Sequence, residues 1–232
     1  MSIILLSEKA GSQLISCLTD KGHMVIRIQS TASVYEAISA HADIYACPIG
    51  GELILAPEQN AGIGLVLSSA GVVYSLGSSI LQQSYPGNIA YNAVSTENYF
   101  IHNLKHTDPV LLDKARRLGL ILIDVKQGYT KCNTVVVSPN AFITSDAGIA
   151  SRLSSYPIDV LLIQSRHVIL SGFSQGFLGG ASGKVDDTIY FNGDLSRHPD
   201  CQRIISFIEA RGLSTIYFED YPLEDIGSII GL

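Results

Sequence analysis

Cys132 is the side chain of this sequence best placed for covalent chemistry, standing between Lys131 and Asn133 in the stretch Gly128 to Val135, G-Y-T-K-C-N-T-V. A neighbouring ammonium favours the thiolate, the form that attacks carbon, so Lys131 is read as a group that lowers the Cys132 pKa. The plainer reading of Cys132 is a small, buried, apolar residue. Tyr129 can present its hydroxyl to the same place. Histidine and carboxylate fall together twice, in His41-Ala42-Asp43 and His198-Pro199-Asp200. Either pair can tune a proton relay, and Asp200 equally suits a helix start, where the dipole favours a carboxylate.

Other chemical patterns fail on their own terms. His102 ends a strand pattern while His106 precedes a helix, so the two do not share the helical face that a metal pair requires. The glycines at 172, 176, 179, 180 and 183 invite a phosphate-loop reading. That motif fails because Leu178 stands at its first glycine and Val185 replaces its hydroxyl. The segment reads instead as a flexible or close-packed loop at a pocket mouth, or as an anion-binding nest. No cofactor and no metal are expected.

These residues must be positioned by a repeat. Gly87 to Val94 reads G-N-I-A-Y-N-A-V, a pattern that returns at Gly128, and unit starts at Asp43, Gly87, Gly128 and Gly176 are 44, 41 and 48 residues apart. Strands are expected at Ile3–Leu6, Met24–Ile28, Glu52–Ala56, Ile89–Val94, Tyr99–His102, Leu120–Ile123, Thr134–Val137, Ala141–Ile143, Asp159–Ile163 and Thr188–Phe191. Helical stripes lie between them, among them Val34, Ala37 and Ile38. The helix after Asp108 has a capping carboxylate, Pro109 in its first turn, and Leu111, Ala115 and Leu118 at helical spacing.

The tail Asp225 to Leu232 and the start Met1 to Ile28 supply a fifth unit that closes a ring. Each unit has an apolar sheet face that it cannot bury alone, and ringing the units covers those faces while their first strands converge on an axis. By this reading Cys47, Tyr91, Cys132 and Gly180 are equivalent positions. The Asn residues that follow two of them, Asn92 and Asn133, either bind polar ligand groups or satisfy strand-end backbone.

Composition agrees with one globular domain over residues 1–232. The chain is 47% apolar and 16% charged, enough for a full core. A formal charge of −6 argues against a broad nucleic-acid or anionic-membrane surface, and Lys114, Arg116 and Arg117 read as a solvated helix face. Met1 to Ser7 is only one strand long and lacks leader features, and no run nears the roughly 18–20 apolar residues of a membrane span. Four scattered cysteines suit a reducing cytoplasm.

The last quarter, from Thr188-Ile-Tyr-Phe-Asn192 through Leu213–Phe218 to Leu223-Glu-Asp-Ile-Gly-Ser-Ile-Ile-Gly-Leu232, together with Gly128–Thr144 around Ser138-Pro139-Asn140, resembles the pentein fold. This is the α/β propeller of five ββαβ-type units found in guanidino-group-modifying enzymes. The resemblance implies an axial pocket for a small polar or guanidino-type metabolite, with Asp43, Asn92, Tyr129, Cys132 and Asn133 as ligand-binding candidates. It also matches Gly231 to the family's nucleophilic cysteine and Tyr129 to its general acid/base histidine. A glycine supplies neither thiolate nor proton transfer, so the resemblance implies binding without the usual Cys/His chemistry. Two alternatives stand beside this: a protein-interaction module similar to the ribosome anti-association factor of the same fold, and a hydrolase or transferase with a relocated nucleophile.

Overall fold

The computed structural model describes residues 1–232. The chain opens with β1 (Ile3–Ser7), α1 (Ser12–Asp20) and β2 (Met24–Ile28). Four units then repeat one order of two strands, a helix and a third strand. The first of these follows the short helix α2 (Ala42–Tyr45) and comprises β3 (Ala46–Ile49), β4 (Glu52–Leu55), α3 (Pro57–Ser69) and β5 (Tyr74–Leu76). Next come β6 (Val94–Ser95), β7 (Tyr99–His102), α4 (Pro109–Arg117) and β8 (Ile121–Asp124). After the short helix α5 (Thr130–Asn133) lie β9 (Thr134–Ser138), β10 (Ala141–Thr144), α6 (Ala147–Leu153) and β11 (Asp159–Leu162). The last full unit is β12 (Ser182–Val185), β13 (Thr188–Phe191), α7 (Cys201–Glu209) and β14 (Ser214–Ile216).

The chain ends on β15 (Ile230–Gly231), which pairs antiparallel with β1, Ile4 opposite Gly231. The carboxyl terminus thereby supplies the strand that the first unit lacks. Five three-stranded sheets result, each with an antiparallel pair, a hairpin in all but the β1–β15 case, and a parallel pair. A hairpin can close in a tight turn, but a parallel pair needs a crossover, and the helix of each unit provides it.

Helix α4 shows how local sequence sets these crossovers. The Asp108 carboxylate accepts from the Val110 and Leu111 amides at 2.9 and 3.1 Å, Pro109 fills the first turn, and Leu111 and Ala115 are buried. Lys114 pairs with Glu52 and Arg117 with Asp113, as a solvated face should. The core is divided between units. One cluster of 25 residues runs from β1 through the units of β3 and β6, and another of 15 joins β9 and β10 to the unit of β13, so no unit covers its own faces. No helix is long and apolar enough to cross a membrane.

Two local expectations are corrected. Ile89–Ala93 is a turn, with the Asn92 amide bonded to the Ile89 carbonyl, and only Val94–Ser95 is strand. The chain must bend there to cross the axis, and apolar residues buried on both sides of a bend imitate strand alternation. The stripe Val34, Ala37 and Ile38 yields only a single 3-10 turn at Glu36–Ile38.

Candidate active site on the propeller axis

Just before each first strand the chain crosses the axis, and the crossings are stitched into a closed ring. The Lys131 amide donates to Asn92 O (3.1 Å), Gly180 to Cys132 O (2.8 Å), Ser228 to Gly180 O (2.7 Å) and Asp43 to Gly227 O (3.0 Å). The Asn92 side-chain Nδ2 completes the circuit to Asp43 O at 3.2 Å. The ring residues are therefore Asp43, Asn92, Cys132, Gly180 and Ser228. This corrects the sequence-based equivalence: Cys47 lies within β3 opposite Ile54, and the Tyr91 hydroxyl turns away to Ser79 O. Gly176, Gly179, Gly180 and Gly183 are close-packed, whereas Gly172 is open. A Cβ on Gly179 would sit 2.5 Å from Lys131 O, and one on Gly180 would overlap the Asp225 carboxylate.

Inside the ring, Cys132 Sγ lies 3.1 Å from Asp43 Oδ2 and accepts from Asn92 Nδ2 at 3.1 Å. Ser228 Oγ donates to the same Asp43 oxygen at 2.6 Å and accepts from Lys131 Nζ at 3.0 Å. Ser228 holds this position at φ 69°, left-handed backbone that is costly for a residue with a Cβ. His41 Nδ1 faces Asp225 Oδ1 at 3.7 Å, an ion-pair distance beyond hydrogen-bond length. Asp225 is held in turn by the amides of Gly227 and Phe177, both at 3.0 Å.

His41, Asp43, Cys132, Asp225 and Ser228 are all buried. Within this cluster His41 Nδ1 and Asp43 Oδ1 have no hydrogen-bond partner. Buried polar atoms left unpaired cost on the order of 1–3 kcal/mol each. His41, Asp43 and Cys132 each bring one ligating atom within 4.8 Å of the others. A tetrahedral zinc with 2.0–2.3 Å bonds needs separations under about 4 Å, so the set is looser than a formed metal centre.

Burial, the Asp43 and Asp225 carboxylates and the hydrogen bond to Asp43 push the Cys132 thiol well above its ordinary pKa. The lowering expected from Lys131 is thus outweighed by burial and the two carboxylates. The Lys131 ammonium engages Ser228, and burial lowers its own pKa. Burial also raises Asp225 to about 6, with Asp43 adding to the rise and His41 opposing it.

On one side of the ring a cavity of about 450 Å³ is lined by His41, Asp225, Tyr35, Phe173, Glu36 and Glu224. Tyr35 packs on Phe173 with ring centroids 5.3 Å apart and meets the Tyr129 hydroxyl at 3.2 Å.

The sequence-selected candidates divide. Asp43, Asn92 and Cys132 meet in the cluster, with Asn92 Oδ1 also accepting the Lys131 and Cys132 amides. Tyr129 caps α5 and bonds Asn88 Oδ1 at 3.0 Å, while Asn133 Nδ2 serves the Tyr129 carbonyl at 3.2 Å, a strand-end backbone role. Gly231 lies in β15, past the ring, where Ser228 holds the ring position.

Asp225, Ser228 and the contact of Lys131 with Ser228 are not legible in the local sequence, and His41 pairs with Asp225 rather than with Asp43. Counting back from the closing strand, as from β9 to Cys132, would have found Ser228. His102 and His198 have structural roles. His102 bonds Thr107 Oγ1 and Gly128 O, and burial drops its pKa to about 4, while His198 accepts from the Asp200 amide.

A closed ring of five ββαβ units with a polar axis is the pentein fold, and comparison with solved structures agrees. The chain belongs to the family described as Family of unknown function (DUF6873), whose profile matches residues 5–230. It is similar to SxtG, an amidinotransferase of the saxitoxin pathway from Microseira wollei, with TM-score 0.55 and 14% identity over 89% of this chain and 73% of that one. It is similar to the C. jejuni agmatine deiminase, with TM-score 0.51 and 9% identity over 99% and 81% of the two chains. A dimethylarginine dimethylaminohydrolase variant, in adduct with S-methyl-L-thiocitrulline, gives TM-score 0.54 and 10% identity over 94% and 92%. No curated protein sequence matches.

Proposed function

We propose that this chain is a thiol-dependent hydrolase or transferase that acts on a small guanidino compound held on the propeller axis. Cys132 is the nucleophile, Asp43 holds the cationic group, His41 carries protons and Asp225 orients His41. The observation that carries this reading is the convergence of thiol, carboxylate and imidazole at one buried point, with His41 Nδ1 and Asp43 Oδ1 left unpartnered. The amidinotransferase, deiminase and dimethylaminohydrolase likenesses support a guanidino compound as the ligand class.

The electrostatics supply a reason for selectivity. With the axis free of ligand, burial first, and then the Asp43 and Asp225 charges, hold the thiol protonated. A guanidinium seated on Asp43 cancels its charge and adds a positive one beside the sulfur, so the thiolate forms when a cation arrives. The Cys132 proton passes to His41, and the sulfur bonds to the guanidino carbon. The bond from that carbon to the departing amine then breaks as His41 returns the proton to its nitrogen. Water or a primary amine adds to the resulting thiouronium carbon, the carbon–sulfur bond breaks, and the thiol is restored.

The test is incubation with arginine, agmatine and N-methylated arginines, in water and with added primary amines. A ureido or amidine-transfer product that vanishes in Cys132→Ser and falls in His41→Asn is the expected outcome. Turnover that survives Cys132→Ser, or no product from any member of the panel, overturns the assignment.

A further inference from the structure

Three residues other than glycine hold a left-handed backbone, and Ser228 differs from the other two in its surroundings. Arg166 and Asp186 are exposed, whereas Ser228 is fully buried among the axial side chains. The preceding Gly227 has φ 75°, and a Cβ there would overlap His41. A second glycine at 228 would meet its φ of 69° without strain, since this region is costly only to residues that carry a Cβ. The chain keeps a hydroxyl at that cost, and buried strain of this kind gathers where a side chain has a task.

The partners of that hydroxyl define the task. Lys131 Nζ donates to Ser228 Oγ at 3.0 Å, which leaves the single hydroxyl hydrogen to point elsewhere. Asp43 Oδ2 at 2.6 Å is the nearer acceptor and the charged one, against Gly179 O at 3.0 Å. Lys131 and Asp43 form no ion pair with each other, so the hydroxyl stands between them as a neutral spacer. A direct pair would neutralise the carboxylate within the protein before any cationic ligand arrived. The other donor to the Asp43 side chain is the Cys132 thiol, at 3.1 Å from Oδ2. That bond ends when the thiol loses its proton, and Ser228 is then the one side chain still holding the carboxylate.

We propose that Ser228 is a positioning residue for cation recognition: its hydroxyl fixes the Asp43 carboxylate beside Cys132 and keeps it from closing on Lys131, which leaves the charge to an incoming guanidinium. This inference rests on the reading of Asp43 as cation holder and Cys132 as nucleophile. A glycine at 228 would build the same ring on a relaxed backbone, but with the carboxylate free to pair with the ammonium.

The test alkylates Cys132 with chloroacetamidine, which is cationic, and with chloroacetamide, which is neutral and of nearly the same shape, and reads both rates by peptide mass spectrometry. Their ratio reports charge recognition, because changes in access or in the thiol itself act on both reagents. In wild type the cationic reagent should lead by at least about tenfold. Ser228→Ala and Ser228→Gly should each lower the ratio about tenfold, the scale of one hydrogen bond to a charged group. The two variants should nevertheless differ in melting temperature, with Ser228→Gly the higher, because only glycine is relaxed at φ 69°. A merely structural role predicts instead that the ratio follows the melting temperature. A ratio that stays at the wild-type value in Ser228→Gly, whether or not it falls in Ser228→Ala, would overturn the inference and leave the reading of Asp43 standing. Equal rates with the two reagents in wild type would overturn both.

Discussion

Between Cys132 and Asp43 the sulfur and a carboxylate oxygen are 3.1 Å apart, an arrangement that, together with burial, favours the protonated thiol. Sequence alone reached Asp43, Asn92 and Cys132, because short motifs at unit starts mark where the chain meets the axis. It missed the role of Lys131, since adjacency in sequence gives no direction: the ammonium crosses to Ser228 on the far side of the ring. It missed Asp225 because the partner of His41 is long-range and leaves no local pattern.

Asp225 carries a prediction of its own. Its folded pKa of about 6 lies above the 3.8 of a free aspartate, so the fold favours the neutral acid. Below pH 3.8 both folded and unfolded states are protonated and no penalty exists; above 6 the folded protein must hold a buried charge. From pH 4 to 7 the stability of wild type relative to Asp225→Asn should therefore fall by about 2 kcal/mol, measured by urea unfolding at each pH. A difference independent of pH, or one that grows in favour of wild type, would contradict the account.

At the scale of elements, the long, well-marked helices and paired strands were legible, and the pieces that handle the axis were not. Asp108 illustrates the first kind, since a carboxylate followed by proline and a helical stripe has one local meaning. Its structural role is wider than that cap, because Oδ2 also takes the Ser78 and Ser79 amides at 2.8 and 2.7 Å. Asp108→Ala should cost about 2–4 kcal/mol in chemical denaturation, a cap plus two stranded amides, and a loss below about 0.5 kcal/mol would contradict this. The strand β12 illustrates the second kind. Its sequence, S-G-K-V, has little strand propensity, and it is held in place by pairing with β13 and by the crowded axis. Tertiary position decides it.

On the scale of the whole molecule, closure through the carboxyl terminus is what turns five weak units into one body, and the sequence repeat already implied it. Removing residues 229–232 deletes β15 and the buried Ile229 and Ile230, worth on the order of 5 kcal/mol against a typical total of 5–15. The truncated chain should lose most of its cooperative thermal transition, and an unchanged melt would show that the ring does not need its clasp. The axis exists only because the ring closes, and its chemistry is best questioned with two isosteric reagents, chloroacetamidine and chloroacetamide, which differ in charge. Mapped by peptide mass spectrometry, Cys132 should be alkylated at least about tenfold faster by the cationic reagent, with the preference lost in Asp43→Asn and absent at Cys17 and Cys201. Equal rates at Cys132 with the two reagents, or labelling that bypasses Cys132, would contradict the assignment of Cys132 and Asp43 as nucleophile and cation holder.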